Sequence, residues 1–226
     1  MKTRIYILVF LLVLLADLVV IGGGFSSELR FVTKPAIIIT LLIYLLKNSG
    51  RFPFQREYLT LALLFSLIGD VLLLFGDQLQ WHFIGGLLAF LLAHLMYISR
   101  FFRLRNLRSG NALWVSLPLL LYAGFILNLI RPNLNELLPY VVAYMVVLLF
   151  MVLATALRKK AVVGPSYFLV LSGALLFMVS DSLLAINKFY TPIMHSDLVI
   201  MLTYGLAQLL IIHGALEGVK YYEKLR

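Results

Sequence analysis

The chain has no cysteine, so disulfides, thiolate metal sites and redox thiols are excluded, and cysteine usage says nothing about compartment. Charge is scarce as well: 13% of the 226 residues are Asp, Glu, Lys or Arg, against 62% hydrophobic. A soluble domain carries roughly a quarter charged residues, so this chain has too little polar surface to cover itself in water. Long polar stretches are missing too, which leaves no soluble domain between the apolar runs. The net charge of +9 does not point to nucleic acid, because the basic residues do not gather in a patch on a polar domain.

What is present is apolar sequence, with a mean hydropathy of +1.00. A membrane span needs about 20 largely apolar residues. Polar, Pro or Gly clusters cut the chain into eight such segments, near 5–23, 33–47, 57–76, 82–101, 111–130, 137–157, 165–188 and 197–217. The fold class expected is therefore all-α, a single polytopic membrane domain over residues 1–226. Asn106 to Asn111, Arg131 to Glu136 and Arg158 to Gly164 read as turns. The first apolar run follows Lys2 and Arg4 as a signal peptide would, but no clear cleavage site follows it, so it is expected to remain as a helix.

Lys and Arg concentrate in cytoplasmic loops. With eight spans, 15 of the 19 basic residues fall on one side and only Arg30, Lys34, Arg131 and Lys188 on the other. Both termini are thus expected in the cytoplasm. A weak internal repeat with a period near 111 residues relates Leu67–Leu73 around Asp70 to Met178–Leu184 around Asp181. It also relates Asp17 to Asn128 and, at an offset of 114, His94 to Gln208. Four helices per half would make a 4+4 parallel repeat about an axis along the membrane normal.

Ionisable side chains inside a bilayer cost several kcal/mol on insertion scales, so Asp17, Asp70 and Asp181 each need a reason to be there. All three lie about two-thirds of the way along helices expected to run outward, and so share a depth. Asp70 and Asp181, each preceded by a small residue (Gly69, Ser180), read either as a facing pair in a polar cavity or as interhelical hydrogen-bond or ion-pair partners. Two buried acids at one depth repel, which makes them poor structural glue and favours the functional reading. Asp17, nearer a helix end, suits either a site or a water-exposed role. Lys34 and Lys188 lie above the acids, where they either anchor at the interface or hold a phosphate. His94 is mid-membrane with Tyr97 one turn on. His82, His195 and His213 do not share its depth, so no metal site is expected.

Phe65–Leu73 with Gly69-Asp70, Gly85–Phe90, Ala93-His94-Leu-Met-Tyr97, Thr33-Lys34-Pro35, Gly173–Phe189 with Ser180-Asp181-Ser182 and Asn187-Lys188, and Tyr204-Gly-Leu-Ala-Gln208 together resemble the YhhN family of membrane proteins, which includes the lysoplasmalogenases. The resemblance covers nearly the whole chain. It implies eight helices and hydrolysis of the vinyl ether bond of lysoplasmalogens, releasing a fatty aldehyde and glycerophosphocholine or glycerophosphoethanolamine. It carries the paired aspartates over to Asp70 and Asp181 as catalytic groups. Lys34 and Lys188 would hold the phosphate. His94, Tyr97 and Asn187 would line or orient the site, with Asp17, Tyr204 and Gln208 also expected at the substrate.

The chemistry suits the residues. A vinyl ether is cleaved by protonating its β-carbon and adding water to the resulting oxocarbenium ion, which needs one acid and one base. Two carboxylates sharing a low-dielectric cavity can divide those roles. No cofactor or metal is called for. The partners implied are a lysophospholipid and the membrane itself, in the cytoplasmic membrane of a bacterium or the endoplasmic reticulum of a eukaryote. A small proton-coupled transporter is the rival reading from another class. An intramembrane aspartyl protease is disfavoured, because Leu67 and Ile68 precede Gly69-Asp70 where that family has a Gly-x-Gly-Asp motif. A scaffold would be indifferent to both aspartates.

Overall fold

A computed structural model describes residues 2–49, 53–76, 79–106 and 112–224. Arg51, Arg108 and Arg226, and most of the turn expected at 106–111, lie outside the described residues. The described chain is helical. In order, it contains α1 (Lys2–Gly22), α2 (Arg30–Asn48), α3 (Pro53–Leu74), α4 (Gln80–Phe102), α5 (Ala112–Ile130), α6 (Leu138–Ala156), α7 (Gly164–Phe189) and α8 (Ser196–Lys224), with short 3-10 turns at Ser27–Leu29, Arg131–Asn133 and Asn135–Leu137. All eight helices are long and apolar enough to cross a membrane, and the chain is an integral, multi-pass membrane protein. The boundaries shift most at α8, which continues to Lys224 rather than stopping near 217.

The surface repeats the message of the composition. Leu120, Leu121 and Phe125 on α5 are 62%, 67% and 65% exposed, which in water would be an aggregation surface and in a bilayer is the lipid face. With lipid outside, helices cannot be driven together by the hydrophobic effect. Close backbone packing and interhelical hydrogen bonds take over.

The most extensive helix pair is α7 with α8, followed by α3 with α4. The reason for the first is visible at Gly173: a Cβ there would lie 2.9 Å from both the Ala207 carbonyl oxygen and the Ile211 nitrogen, backbone atoms that cannot move aside. Only glycine permits that approach. At Gly69 a Cβ would sit 2.6 Å from the Phe90 ring, so this glycine lets α4 press an aromatic against α3 beside Asp70. The core of the bundle is consequently aromatic at this level. Phe90 and Phe177 meet Tyr204 edge-on at ring-centroid distances of 5.8 and 5.4 Å. Around that aromatic layer, α2, α3, α6, α7 and α8 supply the two acids and the polar side chains that touch them.

Candidate active site

A cavity of about 490 Å³ opens at the bundle end where α2 and α8 begin and α3 and α7 finish. Its walls are Leu73, Leu74, Leu87, Phe90, Val141 and Leu184, and both Asp70 and Asp181 line it. The acids lie deep in the cavity, with Asp70 only 2% exposed. Exposed charged residues, Lys188 and Asp197, stand at its rim, with the half-buried Arg30.

Asp70 is held from two sides. The Lys34 ammonium lies 3.4 Å from its Oδ1, and the Tyr204 hydroxyl donates to its Oδ2 at 2.7 Å. Tyr204 is itself oriented by Gln208. The Tyr97 hydroxyl donates to Gln208 Oε1 at 2.6 Å, which turns the amide nitrogen toward Ser66 Oγ at 3.0 Å and the Tyr204 oxygen at 3.4 Å. A hydroxyl that accepts from an amide has one proton left, and it points at Asp70. All of these side chains are buried, so each polar atom in the chain of contacts depends on its neighbour for satisfaction.

Asp181 is held differently. The Tyr144 hydroxyl donates to its Oδ2 at 2.5 Å, and the ion pairs among the described residues, Arg30–Asp197 and Lys34–Asp70, do not involve it. Tyr144 packs edge-on against the His94 ring at 5.3 Å, and His94 against Phe177 at 4.7 Å. On the same turn of α7, Ser180 Oγ donates to the Ile200 carbonyl of α8 at 3.0 Å. This bond ties the Asp181 backbone to the helix that carries Tyr204.

The residues expected at the site thus divide into two layers. Asp70, Asp181, Lys34, Asn187, Lys188 and Tyr204 line the cavity. His94, Tyr97, Gln208 and Asp17 do not. The first three sit behind the tyrosines that touch the acids. Asp17, fully buried on α1, accepts a hydrogen bond from Thr33 Oγ1 at 2.5 Å, next to Lys34 in sequence. Asn187 faces the cavity but uses its Oδ1 to accept from the Ile193 backbone N–H at 2.8 Å, closing the α7–α8 loop. Tyr144, Arg30 and Asp197 were not singled out from the sequence. Tyr144 is one of two tyrosines in the apolar run of α6 and nothing in that run sets it apart from Tyr140, and the two charges look like ordinary helix-end residues.

The YhhN family profile matches residues 29–215. The chain belongs to the YhhN family. Among its curated relatives, this YhhN protein is 32% identical to the lysoplasmalogenase TMEM86A of Bos taurus over 84% of its own length and 79% of the relative's. It is 34% identical to the lysoplasmalogenase TMEM86B of Homo sapiens over 81% and 73%, and 30% identical to a lysoplasmalogenase of Mycobacterium bovis over 82% and 71%. No solved structure matches the chain. Every residue that touches Asp70 or Asp181 lies inside the segment matched by the family.

Proposed function

We propose that this YhhN protein is a hydrolase of the vinyl ether bond of lysoplasmalogens, and that Asp181 is the acid and Asp70 the base. The observation that carries the proposal is the unequal setting of two carboxyl groups in one cavity. A neighbouring cation favours the charged form of a carboxylate. Lys34 stands against Asp70, while Asp181 takes a neutral hydroxyl. The names of the relatives supply the substrate class; the asymmetry supplies the division of labour.

In the proposed reaction, Asp181 gives its proton to the β-carbon of the vinyl ether. The π electrons form the new C–H bond and leave an oxocarbenium ion at the α-carbon. The negative charge of Asp70 stabilises that cation and takes a proton from the water that attacks it. The hemiacetal then collapses: its hydroxyl returns a proton to Asp181, the C–O bond to glycerol breaks, and the glycerol oxygen takes the proton held by Asp70. One water is consumed, one aldehyde and one glycerophosphodiester are released, and both acids are back in their starting states. Tyr144 and Tyr204 aim the two carboxyl groups, and the apolar walls take the alkenyl chain.

Two finer features of the architecture belong to the same proposal. The strongest helix pairs, α3–α4 and α7–α8, occupy corresponding places in two halves of four helices, which supports the 4+4 parallel repeat. The distribution of Lys and Arg supports termini in the cytoplasm and a cavity mouth on the opposite side.

Aldehyde release from a defined lysoplasmalogen by the detergent-purified protein tests the reading. Active wild type with inactive, folded Asp70→Asn and Asp181→Asn variants is the expected result. Loss of neither activity in the variants, or an inactive wild type on both choline and ethanolamine forms, would overturn it.

A further inference from the structure

The cavity rim carries charge of both signs, and its composition goes beyond what hydrolysis requires. Arg30, Lys188 and Asp197 line the mouth. Arg30 Nη1 lies 3.2 Å from Asp197 Oδ2, with the Asp197 side chain 62% exposed. The Lys188 ammonium stands over the Phe83 ring at 4.7 Å. Lys34 does not belong to this group, because it is buried and its ammonium lies against Asp70.

We infer that this rim is a reader of zwitterionic headgroups: Arg30 and Lys188 receive the phosphate of a lysophospholipid, and Asp197 its terminal amine. Asp197 is then the residue that decides specificity between an amine-bearing headgroup and a bare phosphate. The inference rests on the reading of the cavity as a lysolipid site.

Helix geometry sets the distances. Lys188 follows Asp181 by seven residues on α7, and Asp197 precedes Tyr204, the partner of Asp70, by seven on α8. At about 1.5 Å per residue the backbone of Lys188 stands about 10 Å above that of Asp181, the backbone of Asp197 about 10 Å above that of Tyr204, and Arg30, one turn before Lys34 on α2, about 6 Å above it. In a lysoplasmalogen, six bonds separate the vinyl α-carbon from phosphorus and four more reach the amine nitrogen. With covalent bonds of about 1.5 Å foreshortened by their zigzag, that is about 7 Å and a further 4 to 5 Å. With the vinyl ether between the acids, the phosphate arrives near the level of Arg30, within reach of the long Lys188 side chain, and the amine near the level of Asp197.

The charges fit in sign as well as in place. A bare phosphate headgroup would satisfy the two cations but bring a second anion to Asp197, whereas a phosphoethanolamine or phosphocholine headgroup pairs with all three. The existing Arg30–Asp197 contact does not prevent this. An exposed ion pair contributes little net stability, so exchanging it for two ligand pairs costs little. The rim is also held in shape: Asn133 Nδ2 donates to the Phe189 carbonyl at 2.7 Å and Asn187 accepts from the Ile193 N–H, fixing the loop between Lys188 and Asp197 at its start and its middle.

The test is a binding measurement that involves no bond cleavage. Two saturated 1-alkyl lysolipids of equal chain length, one with phosphoethanolamine and one with bare phosphate, are titrated into the purified protein. Wild type is expected to bind the phosphoethanolamine lipid at least tenfold more tightly. Asp197→Asn should bring the two affinities within about twofold of each other, while Arg30→Gln, which breaks the same ion pair but keeps the carboxylate, should weaken both lipids and retain the preference. Glycerophosphoethanolamine without a chain should bind at least tenfold more weakly than the lipid; equal binding would overturn the assignment to a lysolipid. Equal affinities in wild type, or an Asp197→Asn variant that weakens both lipids alike, would overturn the role of Asp197. A protein that binds selectively but releases no aldehyde would defeat the hydrolase reading and leave this one standing.

Discussion

Asp70 and Asp181 have similar neighbours in sequence and dissimilar ones in space. Each follows a small residue, precedes two leucines within three positions, and meets one tyrosine hydroxyl in the cavity. Asp70 adds a buried lysine and a chain of hydrogen bonds through Tyr204, Gln208, Tyr97 and Ser66. Asp181 adds only aromatic packing behind Tyr144. Under the proposed mechanism, two carboxyl groups with similar flanking sequence serve as opposite partners, because the surroundings of a carboxyl group, and not the group itself, set its role.

The largest effects test both halves at once. Asp70→Asn and Asp181→Asn should each reduce aldehyde release by about a thousandfold, the range expected for loss of a general acid or base. Similar losses with retained melting temperature are the expected outcome; an Asp181 variant with more than a tenth of wild-type activity would break the assignment of the acid.

Next comes the cation that separates the halves. Lys34→Met should lower activity by about a hundredfold and also lower the melting temperature, since removing one partner of a buried pair is strongly destabilising. Combining it with Asp70→Asn should recover stability without recovering activity. If the double variant is no more stable than Lys34→Met alone, the ion pair does not set the charge of Asp70.

The tyrosines should matter less, and unequally. Tyr204→Phe and Tyr144→Phe each remove one hydrogen bond to a carboxyl group, worth about 1.5 to 3 kcal/mol when the partner is charged and about 1 kcal/mol when it is neutral. The larger loss in kcat should therefore fall on Tyr204→Phe. The reverse order would exchange the roles of the two acids. Gln208→Leu strands the Tyr97 hydroxyl and Ser66 in the interior, at a cost of about 1 to 3 kcal/mol in stability. Its effect on kcat should stay below that of Tyr204→Phe.

The smallest effect is expected from Asp17→Asn. The Asn side-chain oxygen can still accept the Thr33 hydrogen bond, and the residue does not line the cavity. Because Asp17 is fully buried, the cost of the swap should appear in the melting temperature, at about 1 to 3 kcal/mol for a buried amide without a partner; a change in KM or kcat beyond about threefold would bring α1 into the site.

Much of the lining of the candidate site was legible beforehand. Acids in a membrane segment are expensive enough to be noticed wherever they occur, Lys34 and Lys188 stood out by their depth above them, and Tyr204 and Asn187 stood out once the family resemblance was on the page. Four of the expected substrate contacts proved to lie one layer back. Depth along a helix can be counted from residue number, but the azimuth that separates a cavity wall from the layer behind it depends on how neighbouring helices are rotated. Tyr144 escaped notice for the converse reason: nothing in its own helix marks it, and its meaning comes from α7.

The sequence by itself determined that this protein lives in a membrane, that it carries eight helices long and apolar enough to cross one, and that it places acids within them that need an explanation. Those properties follow from composition and from the cost of dehydrating charge, which are local quantities. Only the tertiary structure decided that Lys34 belongs to Asp70 and Tyr144 to Asp181, and that Arg30, Lys188 and Asp197 share one rim. Which charges become neighbours is set by helix packing through contacts such as Gly173 against Ala207 and Ile211, and that packing joins residues more than a hundred positions apart.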